Sequence, residues 1–316
     1  MSLPEILAVL DEAEAERLVG EGFRRFSAGQ CQVMAVGELL FDAPPGDCHV
    51  KGGHLQGDEH FVVKCATTFY QNPAVGLPSA GGFVALVSAR TGEVAAILHD
   101  QGRLTDIRTA IAGALAARAV SHPGIRSLGV VGAGMQARLQ ARRISRALQI
   151  REVMVWGRDP SKAAALAREL GGEAPGVEAL SAEALGLEAL CRRADLIVTT
   201  TPSTEVLVQA DWVRPGTRII AVGADGAGKR ELDPRLLADA VLIADSRSQC
   251  LDHGEIGWAV RAGLAQSEAV IELGELLAEP RPFPKDRTVV VDLTGVGVQD
   301  VQIAKAVWRA LAAQTA

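Results

Sequence analysis

Lys64, Arg108 and Asp225 are the residues best placed to do chemistry. Lys64 sits in FVVKCATTF, whose apolar residues would strip water from its ammonium. Arg108, in LTDIRTA, heads a stretch of almost wholly Ala, Ile and Leu, the composition of a buried helix. A buried cation needs an anion, and a guanidinium is the usual fork for a carboxylate. Lys51 precedes Lys64 by thirteen residues, in HVKGG. Asp225, in AVGADGAGKRELD, falls just past a predicted parallel strand, at the edge where open α/β sheets bind ligands. A carboxylate there could exchange a proton with a substrate nitrogen or carbon. It could equally cap a helix or close an Asx turn among the glycines around it. Lys229 and Glu231 read as solvated loop charges as readily as functional groups.

The stretch LGVVGAGMQA, residues 128–137, points to a dinucleotide. Leu128 to Val131 is an apolar run of the kind that forms a buried parallel strand. Gly132 and Gly134 permit a tight turn and close approach of a pyrophosphate, and Ala137 lets the following helix pack on the strand. That helix, predicted over 135–148, would present its N-terminal N–H groups to phosphate. After a second strand at Val153–Trp156, Gly157 and Arg158 stand where an NAD site carries an acidic residue for the ribose. Arg158 suits a 2′-phosphate, so the reading leans to NADP(H). Asp159 turned inward to the ribose would instead suit NAD(H).

Composition narrows the class. The chain has 316 residues, enough for two domains, each with its own core. Its formal charge of -6 and few aromatics argue against nucleic-acid binding. No long apolar run or signal-like start occurs, so a cytosolic protein with no membrane partner is expected. Five scattered cysteines without a CxxC pair read as free thiols, and the six histidines lack metal-ligand spacing. No metal is expected.

Two kinds of element must position these residues. Residues 4–28 read as one or two helices, and residues 31–98 as short strands, with a hairpin turn at Ala89-Arg90-Thr91-Gly92. Thr105 or Asp106 can cap an Ala-rich helix running to about Val120. Beyond His122-Pro123-Gly124, strands at Leu128–Val131, Val153–Trp156, Leu196–Thr199, Arg218–Val222, Val241–Ala244 and Thr288–Leu293 alternate with helical stretches such as 161–170 and 234–238, before a last helix at 299–313. Such alternation makes a parallel, doubly wound sheet.

FVVK, LPSAGGFVALVSARTGEVAAIL, LTDIRTAIAGALAAR, VVGAGMQARLQ, VWGRDPSKA, ADLIVTTTPS, AVGADGAGKRELD, GEI and VVDLTGVGVQD, in that order, resemble the ornithine cyclodeaminase/mu-crystallin family across nearly the whole chain. HVKGG, VWGRDP and TTTPS are most similar to its ectoine-utilisation branch. The resemblance implies an α/β fold with a Rossmann doubly wound parallel sheet (122–293) inserted in an α+β substrate-binding and dimerisation domain (1–121 plus 294–316). It also implies a homodimer and a nicotinamide nucleotide, NAD(H) or NADP(H). By position, Lys64 and Arg108 would hold a substrate carboxylate, and Asp225 would be the acid/base at the reacting amine. Ser79, Thr109, Met135, Gln136, Thr201 and Lys229 would line the nucleotide, with Thr294 near substrate and nicotinamide.

Two departures bear on the substrate. Ornithine cyclodeaminases carry a glutamate where this chain has Lys51, and an arginine where it has Leu40. A lysine would repel ornithine's distal ammonium by ~4 kcal/mol at about 4 Å and an effective dielectric of about 20. A second anionic group on the substrate would suit Lys51 better. The leading expectation is NAD(P)-dependent hydride transfer at the α-carbon of a small amino or imino acid. The alternatives are a redox-neutral lyase of ornithine-cyclodeaminase type, releasing ammonia, and a non-catalytic nucleotide- or ligand-binding protein.

Overall fold

Apolar residues at helical spacing start the chain: Ala15, Leu18, Val19 and Phe23 are all buried on one face of helix α2 (Glu12–Ser27), which follows α1 (Leu3–Val9). Asp11 caps α2, accepting from the N–H groups of Ala13 and Glu14. The computed structural model describes residues 1–172 and 181–315. It divides into one unit of Met1–Arg108 with Val296–Ala316, and another of Thr109–Gly295. The division falls inside helix α3 (Arg103–Val120) rather than at His122-Pro123-Gly124.

The first unit is an antiparallel sheet with helices. Its strands are β1 (Cys31–Val33), β2 (Gly37–Asp42), β3 (Pro45–Leu55), β4 (His60–Phe69), β5 (Ala80–Ser88) and β6 (Val94–Leu98), ordered β1-β3-β4-β5-β6 with β2 also paired to β3. β1 and β2 fall within the stretch of short strands that the sequence begins at Cys31. The register sets Lys51 on β3 directly opposite Lys64 on β4, so both side chains leave the same face. The last helix of the chain, Gly297–Thr315, returns to this unit, and it lies so close to α2 that a Cβ on Gly22 would meet Val298 and Gln302 at 2.9 Å.

The predicted cap of α3 is corrected. Gln101 and Gly102 both take left-handed backbone, and Asp100 then accepts from the Leu104 N–H at 3.0 Å. Asp100 is the residue that closes the turn, and the Thr105 hydroxyl is left for another partner.

The second unit is an eight-stranded parallel sheet. Its strands are β7 (Ser127–Val131), β8 (Glu152–Trp156), β9 (Ser181–Ala184), β10 (Leu196–Thr199), β11 (Arg218–Ala221), β12 (Val241–Ala244), β13 (Ile271–Glu272) and β14 (Val289–Asp292). They run in the order β13-β12-β14-β11-β10-β7-β8-β9. Every residue of β7, β10, β11 and β14 is buried, as expected for strands covered on both faces. The sequence did not show β9 or β13, and the helical stretch read at 234–238 is a 3-10 helix, Pro234–Leu237. Helices α4 (Met135–Leu148), α5 (Pro160–Gly172), α6 (Leu187–Arg193), α7 (Arg247–His253), α8 (Glu255–Arg261) and α9 (Leu273–Ala278) connect the strands; the last helix is α10. Strand order reverses between β7 and β10, the switch point at which such sheets open a ligand crevice. Among the described residues, no helix is long and apolar enough to cross a membrane.

Candidate active site

In the first unit, three cations surround one buried carboxylate. Lys64 Nζ donates to Asp300 Oδ1 at 2.8 Å and to Thr105 Oγ1 at 3.1 Å. Arg108 Nε donates to the same Asp300 oxygen at 3.1 Å, and its Nη1 to Gln299 Oε1 at 3.0 Å. Lys64 is 3% exposed and Arg108 6%. Burial pulls the Lys64 ammonium down to about 8; Asp300 opposes that fall, while Arg108 and Lys51 add to it. For Asp300, burial works upward, but the charges of Arg108 and Lys64 prevail and hold its carboxyl below the usual range. Asp300 Oδ2 and Gln299 Nε2 are buried with no partner among the described residues. Buried Asp100 is electrostatically coupled to Lys64, and desolvation holds its own carboxyl above the usual range. Two cations, Lys64 and Arg108, thus sit on a single carboxylate oxygen.

In the second unit, the turn after β7 is shaped for phosphate. Gly132 has φ +131°, and a side chain there would strike Thr200. A Cβ on Gly134 would meet nothing within 4 Å, and no side chain caps the first turn of α4 behind it. These residues open onto a cleft of about 390 Å³, whose walls include Arg158, Asp159, Lys162, Thr201 and Ser203. An empty space before a helix N-terminus fits a pyrophosphate, so the residues present fit a dinucleotide. Met135 is exposed and Gln136 half-buried at the start of α4. Thr109, on α3, accepts from Gln140 Nε2 through its carbonyl.

At the ribose end, Asp159 is committed to helix α5. Its Oδ1 accepts from the Ser161 hydroxyl at 2.6 Å and from the N–H groups of Ser161 and Lys162, bonds that hold its carboxyl below the usual range. Arg158 stands exposed on the same wall.

The loop after β11 departs from its sequence reading. Asp225 neither caps a helix nor forms an Asx turn; it accepts from Lys229 Nζ at 2.6 Å, with 53% of its side chain exposed. Glu231, for which the sequence left a solvated charge and a functional group equally open, is 0% exposed. It is buried because it accepts from Thr201 and Gly223. Thr294 is also buried, its hydroxyl given to Asp245 Oδ1 at 3.0 Å. That bond braces the end of β14. Ser79 lies in the first unit just before β5, where its carbonyl accepts from the Phe69 N–H.

Lys51, Lys64 and Arg108 thus share one cluster, and Gly132, Gly134, Arg158, Asp159 and Thr201 share one cleft. Sequence reasoning missed Asp300 and Gln299, took Thr105 only as a cap candidate, and left Glu231 open. Asp300 carried a signal: it is the one acid in the last helix, in the same chain as two buried cations that lacked a counter-ion.

A Rossmann-type parallel unit with an open glycine turn and an antiparallel unit with a buried cationic cluster define the α/β class of this protein. The chain belongs to the ornithine cyclodeaminase/mu-crystallin family, whose sequence profile matches residues 5–314. An uncharacterized cyclodeaminase of Sinorhizobium fredii is 41% identical over 273 residues, 84% of this chain and 81% of that protein. An archaeal alanine dehydrogenase dimer with bound NAD superposes with a TM-score of 0.89 at 30% identity, covering 100% of this chain and 96% of that one. The iminosuccinate reductase of Paracoccus denitrificans, in complex with NAD+, gives 0.88 at 29% identity over 99% and 96%.

Proposed function

We propose that this chain is an NAD(P)H-dependent reductase of a small α-imino acid, and that the reverse reaction oxidises the matching amino acid. One observation carries the reading: Lys64 and Arg108 are buried together on a single oxygen of Asp300, with Lys51 beside them. Such an excess of positive charge is costly unless an anion joins it. The α-carboxylate of the substrate is that anion. Lys64 and Arg108 fix it and so orient the C=N bond, a proximity effect. Nicotinamide nucleotide, when bound, supplies the hydride. Asp225, paired with Lys229, relays to the imine nitrogen a proton drawn from the Lys229 ammonium or solvent, so that the C=N bond is reduced to the amine. The alanine dehydrogenase and iminosuccinate reductase among the similar structures support this reading.

Three finer assignments follow. Lys51 receives a second anionic group, so an imino dicarboxylate is preferred to a diamino acid; this weighs against cyclodeamination of ornithine, despite the similar protein named a cyclodeaminase. Arg158 and Lys162 favour the 2′-phosphate of NADP(H), because Asp159 is occupied as a helix cap. The chain forms a homodimer through the edge strand β2, where Leu39, Leu40 and Phe41 are all exposed, Leu40 at 72%. Light scattering should give twice the chain mass for the native protein and a monomer for Leu40→Asp; a dimeric variant would refute the assignment.

The decisive experiment is a screen of the purified protein with NADH or NADPH against oxaloacetate plus ammonia, pyruvate plus ammonia, pyrroline-2-carboxylate and ornithine. Stoichiometric loss of nucleotide absorbance is expected, fastest with the dicarboxylate. Ammonia released from ornithine with no net nucleotide consumed would establish the lyase instead. Nucleotide binding without turnover of any compound would leave a binding protein.

A further inference from the structure

Glu231 is a buried carboxylate that the chemistry above does not use. Its Oε1 accepts from the N–H and the hydroxyl of Thr201, both at 2.7 Å, and its Oε2 accepts from the Gly223 N–H at 3.0 Å. Thr201 follows the C-terminal end of β10, and Gly223 that of β11. One side chain therefore ties together two loops at the ligand edge of the sheet: the first lines the nucleotide cleft, and the second carries Asp225 and Lys229.

The tie is itself anchored. The Glu231 N–H donates to Glu255 Oε1 at 2.5 Å, and the Glu231 carbonyl accepts from the N–H groups of Leu207 and Val208 at 2.8 and 2.9 Å. The loops also leave no space for an alternative: a Cβ on Gly223 would strike the Thr201 carbonyl and the Glu231 carboxylate. A carboxylate suits this place because both of its oxygens only accept. Glutamine offers one accepting oxygen, so its amide NH2 would face either Thr201 or Gly223. Aspartate is a methylene too short to reach both loops.

We infer that Glu231 is a positioning residue that joins the Thr201 loop and the Gly223–Lys229 loop into one rigid edge of the nucleotide site. It touches neither substrate nor nucleotide and acts through the loops. The inference rests on the proposed function only in taking these loops as ligand-facing.

The test is amide hydrogen exchange on the full chain with no substrate present, paired with an NADH fluorescence titration. In Glu231→Gln, protection at Thr201 and at Gly223 should fall together by tenfold or more, and NADH affinity by about tenfold, while β7 and β8 keep native protection. Native protection at either loop, or loosening spread evenly over the sheet, would overturn the inference. Should that variant fail to fold, Thr201→Val removes one hydroxyl from one loop and should lower protection at Gly223, on the other, by threefold or more. Unchanged Gly223 protection would sink the linkage. Exchange is read without turnover, so failure of the reductase reading leaves this test intact, and failure here leaves that reading standing.

Discussion

The chain buries charge in two places, and the two are built on opposite principles. In the first unit, Lys64 and Arg108 share a single oxygen of Asp300, while its second oxygen has no partner among the described residues. In the second, Glu231, Glu255, Asp245 and Asp292 are all buried, and each carries backbone N–H groups: Thr201 and Gly223 on Glu231, Leu232 and Glu231 itself on Glu255, Gly295 on Asp245, Ile256 on Asp292. Burial pushes Asp292 up to about 8, so this acid can lower its charge by holding a proton; it pushes Glu231 to about 7, against the pull of the Thr201 and Gly223 donors that favour its carboxylate. The first cluster has no such outlet except in Lys64, since a guanidinium keeps its charge. Two cations on one carboxylate oxygen favour a further anion, whereas the acids of the second unit are held by backbone donors, Asp292 Oδ1 alone among them lacking a partner among the described residues. Both clusters are buried.

The sharpest way to break this contrast is Arg108→Ala. It removes the fork that holds the carboxylate and should lower kcat/KM by a hundredfold or more, about 3 kcal/mol or above, the usual cost of opening a buried charge pair. NADH affinity should stay within about threefold by fluorescence titration, because the nucleotide cleft is built from other residues. Unchanged turnover would remove Arg108 from the mechanism. Lys51→Glu should shift the ratio of kcat/KM for a dicarboxylate over a diamino acid by ten- to a hundredfold toward the diamino acid, and an unmoved ratio would show that Lys51 does not meet the substrate.

Titration sharpens the comparison further. Lys64 is cationic below about 8 and neutral above, so the cluster loses one of its three positive charges as pH rises through that value. Substrate KM should be flat below pH 8 and rise toward tenfold per unit above it, until the bound carboxylate's own stabilisation of the ammonium is overcome. A flat profile to pH 9.5 would mean that Lys64 does not hold the carboxylate. The smallest effect is expected from Arg158→Ala, which should cost roughly tenfold in NADPH affinity and little in NADH affinity; equal losses for both nucleotides would argue against a 2′-phosphate contact.

Much of this arrangement was legible in the chain. Apolar runs such as Leu128–Val131 and Leu196–Thr199 must be covered on both faces, so their alternation with helices fixed a parallel sheet. Gly132 and Gly134 marked the phosphate turn because no other residue tolerates the backbone of the first or keeps the space before the second open. Lys64 and Arg108 stood out as charges among apolar neighbours, which is a local property. Asp159 showed no such sign: a carboxylate beside a strand end serves a ribose or a helix cap equally well, and only its bonds to Ser161 and Lys162 decide.

Local pattern therefore determined which elements form, where the phosphate turn lies and which cations leave water. Tertiary structure alone decided how those charges are balanced. Asp300 meets Arg108 across 192 residues, Glu231 meets Thr201 across 30, and Lys51 faces Lys64 through strand register. Hydrogen bonds and Coulomb forces act over a few ångströms of space whatever the distance along the chain, so a residue's partner, unlike its helix or strand, is not written in its neighbours.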